Sequence, residues 1–290
     1  MIFWRILDNN LYPIKEIDKL GFEESEGLRI PDEYLNNQKF LILRTAHGIG
    51  DWGIISAMPR LLKQKYPNCK VYIPTEKLLN KLFKVNHKNA YNIFLNNPYV
   101  DGFLNEIEGE IFHDQYRIYD KNNPNIPLLE QILKFWQFKP NEYSDSQPEM
   151  YWSDEEKQLG DYIINRYSYN KNKFGCLLIS DRFGTQYGKF DKVSYERDTS
   201  NISKILKEND IPYFYWSYKP LKDTPFNFIH KALNLRHINL RIQLYIKSKA
   251  KLNIGNQCGT NHMVVRYSKV YESQRQFPIA HNLVKGEIYL

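Results

Sequence analysis

The run Arg44-Thr45-Ala46-His47-Gly48-Ile49-Gly50-Asp51-Trp52-Gly53 sets three glycines in a G-x-G-x-x-G spacing, after the apolar segment Phe40 to Leu43 and before a helical pattern. Glycines so spaced let the backbone turn sharply where a strand meets a helix, as in a dinucleotide-binding loop. Two features oppose that chemistry. Asp51 sets a carboxylate where a pyrophosphate meets the positive end of a helix. The end of the next strand also lacks the acidic residue, about 20 positions on, that binds a ribose. The carboxylate then has two available roles: beside a cleft it accepts a proton as a general base, and at a helix start it caps free N–H groups. His47, Gly48 and Gly50 form the loop around it in either case.

A second polar turn runs from Lys251 to Met263, where a strand pattern leads through Gly255, Asn256, Gln257, Cys258, Gly259 and Thr260 into a helix carrying His262. Backbone N–H groups at a helix start bind a diphosphate without side-chain charge. His262 is either a packed or capping histidine or a ligand contact. A third loop, Ser180 to Phe190, follows another strand and carries Arg182 and Lys189. Its cations are either solvated or placed against negative charge growing on a leaving group. Asp223, beyond the strand Tyr213 to Trp216, is a candidate for a ribose hydroxyl contact.

The elements that must position these loops follow from apolar spacing and breakers. Strands are expected at 40–43, 70–73, 93–95, 102–104 and 117–119, with helices at 54–62, 76–84 and 128–138. The polar, proline-bearing stretch Pro140 to Pro148 reads as a linker. Ser153 followed by Asp-Glu-Glu starts a helix to about Tyr167, an N-cap with acidic residues at the positive end of the dipole. A second alternation places strands at 176–180, 213–216 and 251–254, and helices at 194–207, 240–248 and 260–267. Strands joined by helical crossovers make parallel sheets with ligands beyond their carboxyl ends, which places the glycine loops at ligand-binding positions.

Composition narrows the class. The 290 residues suit two moderate domains at roughly 100 to 200 residues each. With 42% hydrophobic and 25% charged residues the chain is globular rather than disordered. The 40 basic and 33 acidic residues leave a net charge of +7, which suits phosphates, nucleic acid or peripheral contact with an anionic membrane surface. No stretch approaches the roughly 18 uncharged apolar residues of a spanning helix, and the start MIFWRILDNN lacks the parts of a secretory signal, so a cytoplasmic protein is expected. Cys69, Cys176 and Cys258 are too scattered for a disulfide framework or zinc site. With neither an Asp-x-Asp pair nor a His-x-x-x-His pair, no catalytic metal is expected, and no RNA-recognition or OB pattern points to nucleic acid.

The run FLILRTAHGIGDWGIISAMPRLLKQKYPNCKVYI resembles the amino-terminal segment of the heptosyltransferase-like glycosyltransferases of family nine: strand, Gly-Asp, small-residue helix, Lys-x-x-Tyr-Pro, strand. NPYVDGF resembles that family's Asn-Pro-Tyr-hydrophobic-Asp segment. The resemblance implies an α/β fold of GT-B type, two Rossmann-like domains facing a central cleft. Residues 1–145 would be the acceptor side and residues 146–290 the nucleotide-sugar side, with the last residues, from Gln274 on, crossing back. It implies an inverting, metal-independent transfer from a nucleotide-diphosphate sugar to a carbohydrate hydroxyl, without further cofactor and with Asp51 as base. Lys189 would neutralise a donor phosphate, assisted by Arg182. Gly255, Gly259 and His262 match the family's Gly-x-Asp-Ser/Thr-Gly-x-x-His stretch, which would make Asn256, Gln257, Cys258, Gly259, Thr260 and His262 the donor turn. Departures are Gln257 in place of the aspartate, Cys258 in place of a hydroxyl residue, and a stretch Thr45 to Ile49 one residue longer. The alternatives are a noncatalytic nucleotide- or glycan-binding protein of the same fold, and an NAD-binding Rossmann protein.

Overall fold

The computed structural model describes residues 4–7, 31–44, 48–86, 88–113, 126–143, 145–167, 173–181, 183–186, 189–229, 232–273 and 286–290. The chain divides into two compact units, Met1–Ser146 and Gln147–Leu290, each with its own main sheet.

In the first unit, β1 (Trp4–Leu7), β2 (Lys39–Leu41), β3 (Lys70–Pro74), β4 (Gly102–Leu104) and β5 (Glu110–His113) form one sheet in the order β1-β5-β2-β3-β4. All neighbours are parallel except β1 on β5. The chain steps outward from β2 through β3 to β4 and then returns to the other side of β2, so the winding reverses between β2 and β5. Helices α1 (Asp32–Leu35), α2 (Ile49–Gly53), α3 (Met58–Lys65), α4 (Glu76–Phe83), α5 (Asn89–Phe94) and α6 (Leu128–Phe135) connect and cover the strands. Phe40 on β2 anchors the core, with its ring 4.8 Å from that of Trp136, edge on, and 5.8 Å from that of Tyr66. The strand expected at 93–95 is the end of α5, because Ala90, Ile93 and Phe94 share one helical face and bury it. The strand expected at 117–119 lies outside the described residues.

One partly exposed contact joins the two family-like segments. Asp101 of NPYVDGF pairs with Lys63 of Lys-x-x-Tyr-Pro at 2.7 Å and with Lys70 at 3.1 Å, and accepts the Val71 N–H at 2.8 Å. Burial works against its ionised form, but bonds from Lys63, Val71 and Lys70 outweigh it and hold the carboxyl below its ordinary pKa. Asp101→Asn is therefore expected to cost about 1–3 kcal/mol in urea unfolding at neutral pH. A depressed carboxylate stabilises above its unfolded pKa of about 3.9 and loses that contribution as pH falls through its folded value, so wild type and variant should converge in acid.

In the second unit, β6 (Gly175–Ile179), β9 (Tyr213–Ser217), β10 (Leu233–Asn234), β11 (Leu252–Asn256), β12 (Lys269–Ser273) and β13 (Glu287–Tyr289) make an all-parallel sheet in the order β10-β9-β6-β11-β12-β13. Counted within the unit this is 3-2-1-4-5-6, the doubly wound order, with its switch point between β6 and β11. A two-strand ribbon, β7 (Thr185–Gln186) with β8 (Lys189–Phe190), stands apart. Helices α7 (Asp154–Tyr167), α8 (Lys192–Glu208), α9 (Leu240–Lys249) and α10 (Gly259–His262) complete it. The helix expected at 260–267 is one turn followed by turns. The chain end expected to cross to the first unit adds β13 beside β12 instead, while residues 274–285 lie outside the described part. Among the described residues, no helix is long and apolar enough to cross a membrane.

Candidate functional site

Each sheet presents a strand end at its switch point, where the helices on either side diverge and leave a crevice. In the first unit this is the end of β2, from which the chain passes through residues 45–47, among them His47, that lie outside the described part. Gly48 then caps α2 in extended conformation, and the buried Trp52 pins the helix down. Asp51 stands in the first turn, exposed, with its carboxylate folded back over Gly48: a Cβ at position 48 would lie 2.5 Å from Oδ2. A larger residue at 48 would displace this carboxylate from its present position. The geometry serves both a helix cap and an exposed base. Gly50, in the same turn, is half-buried. On the other side of the switch, His113 ends β5 opposite Leu41. It is buried, and desolvation pushes its pKa down to about 3, so it is a neutral imidazole. Nothing in the local sequence distinguished it.

In the second unit a cavity of about 220 Å³ opens at the carboxyl ends of β6 and β9 and runs under α9. Ser180 and Asp181 after β6, Tyr215 and Trp216 on β9, Lys247 of α9, and Cys258 and Thr260 of the turn after β11 line it. Its walls are thus mostly apolar with a few polar groups at one end, the usual make-up of a small-molecule site. Two close approaches build it. Gly255 pairs with Leu178 so tightly that a Cβ would sit 2.2 Å from the Leu178 carbonyl oxygen. Asn256 accepts the Ser180 N–H at 3.0 Å and donates to Ser180 Oγ at 2.6 Å, tying the loop after β6 to the end of β11.

The expected donor residues therefore separate. Cys258 and Thr260 line the cavity, Gly259 starts α10 between them, and Asn256 holds the loop from behind. Gln257 is buried and is not on the cavity wall. The backbone cradle is reduced, since the Cys258 N–H turns to Glu272 Oε1 at 3.3 Å and α10 is a single turn. His262, expected to touch ligand, is instead buried with Nδ1 against Glu287. Lys189 is exposed on β8 and Asp223 is exposed at the end of a short 3-10 turn, neither on the cavity wall. Arg182 lies outside the described residues. Among the described residues, the carboxylate that does reach the cavity is Asp181, and the cation is Lys247. Sequence reading passed over both.

Behind the turn, His262, Glu272 and Glu287 offer ligand atoms within 4.8 Å of one another, the spacing of a metal site. In the structure His262 and Glu287 stand in direct hydrogen-bonded contact. Burial lowers the His262 pKa, but Glu287 and Glu272 overcome it and push it up to about 9, so at neutral pH the ring is an imidazolium held by Glu287. Burial and the neighbouring Glu287 push Glu272 up to about 7. Tyr289 donates to the second Glu287 oxygen at 2.7 Å, completing a bonded cluster.

No protein-family model and no curated protein matches the chain. Solved structures do match. The glycosyl transferase family 9 protein from Veillonella parvula aligns with 88% of this chain and 86% of its own, at 10% identity and a TM-score of 0.59. The E. coli ADP-heptose lps heptosyltransferase II aligns with 87% of this chain and 90% of its own, at 11% identity and a TM-score of 0.51. At such identities the likeness carries the fold. That fold is the α/β GT-B type, and these structural neighbours are glycosyltransferases.

Proposed function

We propose that the protein is a glycosyltransferase that moves a sugar from a nucleotide-diphosphate sugar to a carbohydrate hydroxyl, with inversion and without a metal. The observation that carries this reading is the cavity at the switch point of the 3-2-1-4-5-6 sheet, the position at which doubly wound sheets take nucleotides. Residues 146–290 then hold the donor. Trp216 offers flat apolar surface to a base, Asp181 can accept from ribose hydroxyls, and Thr260 is placed for phosphate. Residues 1–145 hold the acceptor. Asp51, exposed at the switch point of the first sheet, takes the proton as the acceptor oxygen attacks the anomeric carbon. The bond to the donor phosphate breaks on the opposite side, which inverts the centre, and the nucleoside diphosphate leaves with both bonding electrons.

The need for a metal falls away when protein groups stabilise the leaving phosphate, and the sequence carries no Asp-x-Asp pair to hold a cation. A panel of UDP-, GDP- and ADP-sugars, assayed for hydrolysis and for transfer to carbohydrate acceptors, tests the reading. Turnover with one donor class is expected. A second reading, a binding protein on the same fold, draws on Gln257 and Cys258 standing where the resembling family has an acid and a hydroxyl. Binding of a donor with neither hydrolysis nor transfer across the panel would select it.

A further inference from the structure

Helix α9 is buried along almost its whole length and carries two buried cations, Arg241 and Lys247. Arg241 is fully matched: Glu156 accepts from it at 2.9 Å and the Tyr151 carbonyl takes a further bond. Lys247, only 6% exposed, donates to two neutral groups, Thr260 Oγ1 at 3.0 Å and Asn261 Oδ1 at 2.6 Å, with Glu272 the more distant carboxylate that favours its charge. Among the described residues no carboxylate comes within 4.0 Å of its Nζ. A buried ammonium is ordinarily paired, because removing it from water costs several kcal/mol. This one is on the cavity wall beside Thr260, and an ammonium has three N–H donors, of which two are used.

We propose that Lys247 is the cation of the donor site, holding a phosphate of the nucleoside diphosphate together with Thr260. The inference rests on the donor reading of the cavity and moves the role from Lys189, on the exposed β8, to a helix beneath the turn. The arrangement suits the task. Asn261 and Thr260 fix the ammonium in place, and a fixed charge in a site shielded from water stabilises a departing diphosphate more than a mobile one at the surface. Burial lowers the Lys247 pKa against the opposing pull of Cys258, Cys176 and Glu272, and a bound phosphate would favour the charged form.

The test uses the full chain, inorganic pyrophosphate, and UDP, GDP and ADP as probes, with affinity read from thermal stabilisation and by calorimetry. Wild type is expected to bind pyrophosphate and at least one nucleotide. K247Q keeps hydrogen-bond donors toward Thr260 and Asn261, and K247M fills the same volume without charge, so folding of either suffices. Both are expected to lose about 30-fold or more in affinity, the scale for removing one partner of a buried charge pair. Variants that retain affinity within about threefold of wild type, or a loss confined to Lys189→Ala, would overturn the assignment while leaving the donor site intact. Wild type that binds none of the four probes would remove the donor reading itself.

Discussion

Asp51→Asn is expected to lower sugar transfer by about two to four orders of magnitude, the range for a positioned general base. Nucleoside diphosphate affinity should stay close to that of wild type, since the proposed donor contacts are on Thr260, Asp181 and Lys247. The substitution is chosen for what it preserves. Asparagine has the volume of aspartate and caps helices equally well, so the turn at Gly48 and the start of α2 survive while the proton acceptor is lost. Initial rates at saturating donor and acceptor, with folding checked by circular dichroism, give the result. A folded Asp51→Asn protein transferring at near wild-type rate would leave this residue as a helix cap.

The largest stability effect is expected at Arg241. Its side chain is 4% exposed and ties α9 to α7 through Glu156 and to the entry segment of the second unit through the Tyr151 carbonyl. Arg241→Met should cost about 3–5 kcal/mol, because it strands a largely buried carboxylate. Burial works against the ionised Glu156, but Arg241 and the Ser153 N–H keep its carboxyl below the ordinary value. The sign follows: the pair stabilises above the unfolded glutamate pKa of about 4.3 and fades as pH falls through the depressed folded value. Urea unfolding of both proteins should thus show a wide gap at pH 7 that narrows below about pH 4. The double variant Arg241→Met, Glu156→Leu should recover part of the loss, since apolar pairs of similar volume replace buried ion pairs at little net cost.

Local signals carried much of the architecture into the sequence. Ser153 with Glu156 announces α7 through reciprocal bonds, Glu156 N–H to Ser153 Oγ at 3.2 Å and Ser153 N–H to Glu156 Oε2 at 2.8 Å. The second glycine loop was legible because Gly255 answers to a close backbone approach that no other residue permits. The order of strands was not legible, since β5 joins β2, and β11 joins β6, across long stretches of chain that no local pattern reports. Nor was Lys247. A lysine within LRIQLYIKSK reads as the solvated face of a helix, and only the apolar residues on every side, Leu240, Ile242, Leu244, Tyr245 and Ile246, signal that this helix has no solvated face. His262 was misread for a related reason: Glu287, which claims its ring, lies 25 residues on, in a strand whose pairing is nonlocal.

The two bonds between Asn256 and Ser180 bear on how quickly a ligand is captured. They cross-link the start of the loop after β6 to the end of β11, so this part of the cavity rim is held before anything enters. Little ordering of these two positions is then left for the moment of binding, which favours capture by encounter over a preceding rearrangement there. Loss of that cross-link would show first as slower capture, with the chemistry that follows unchanged once the complex has formed.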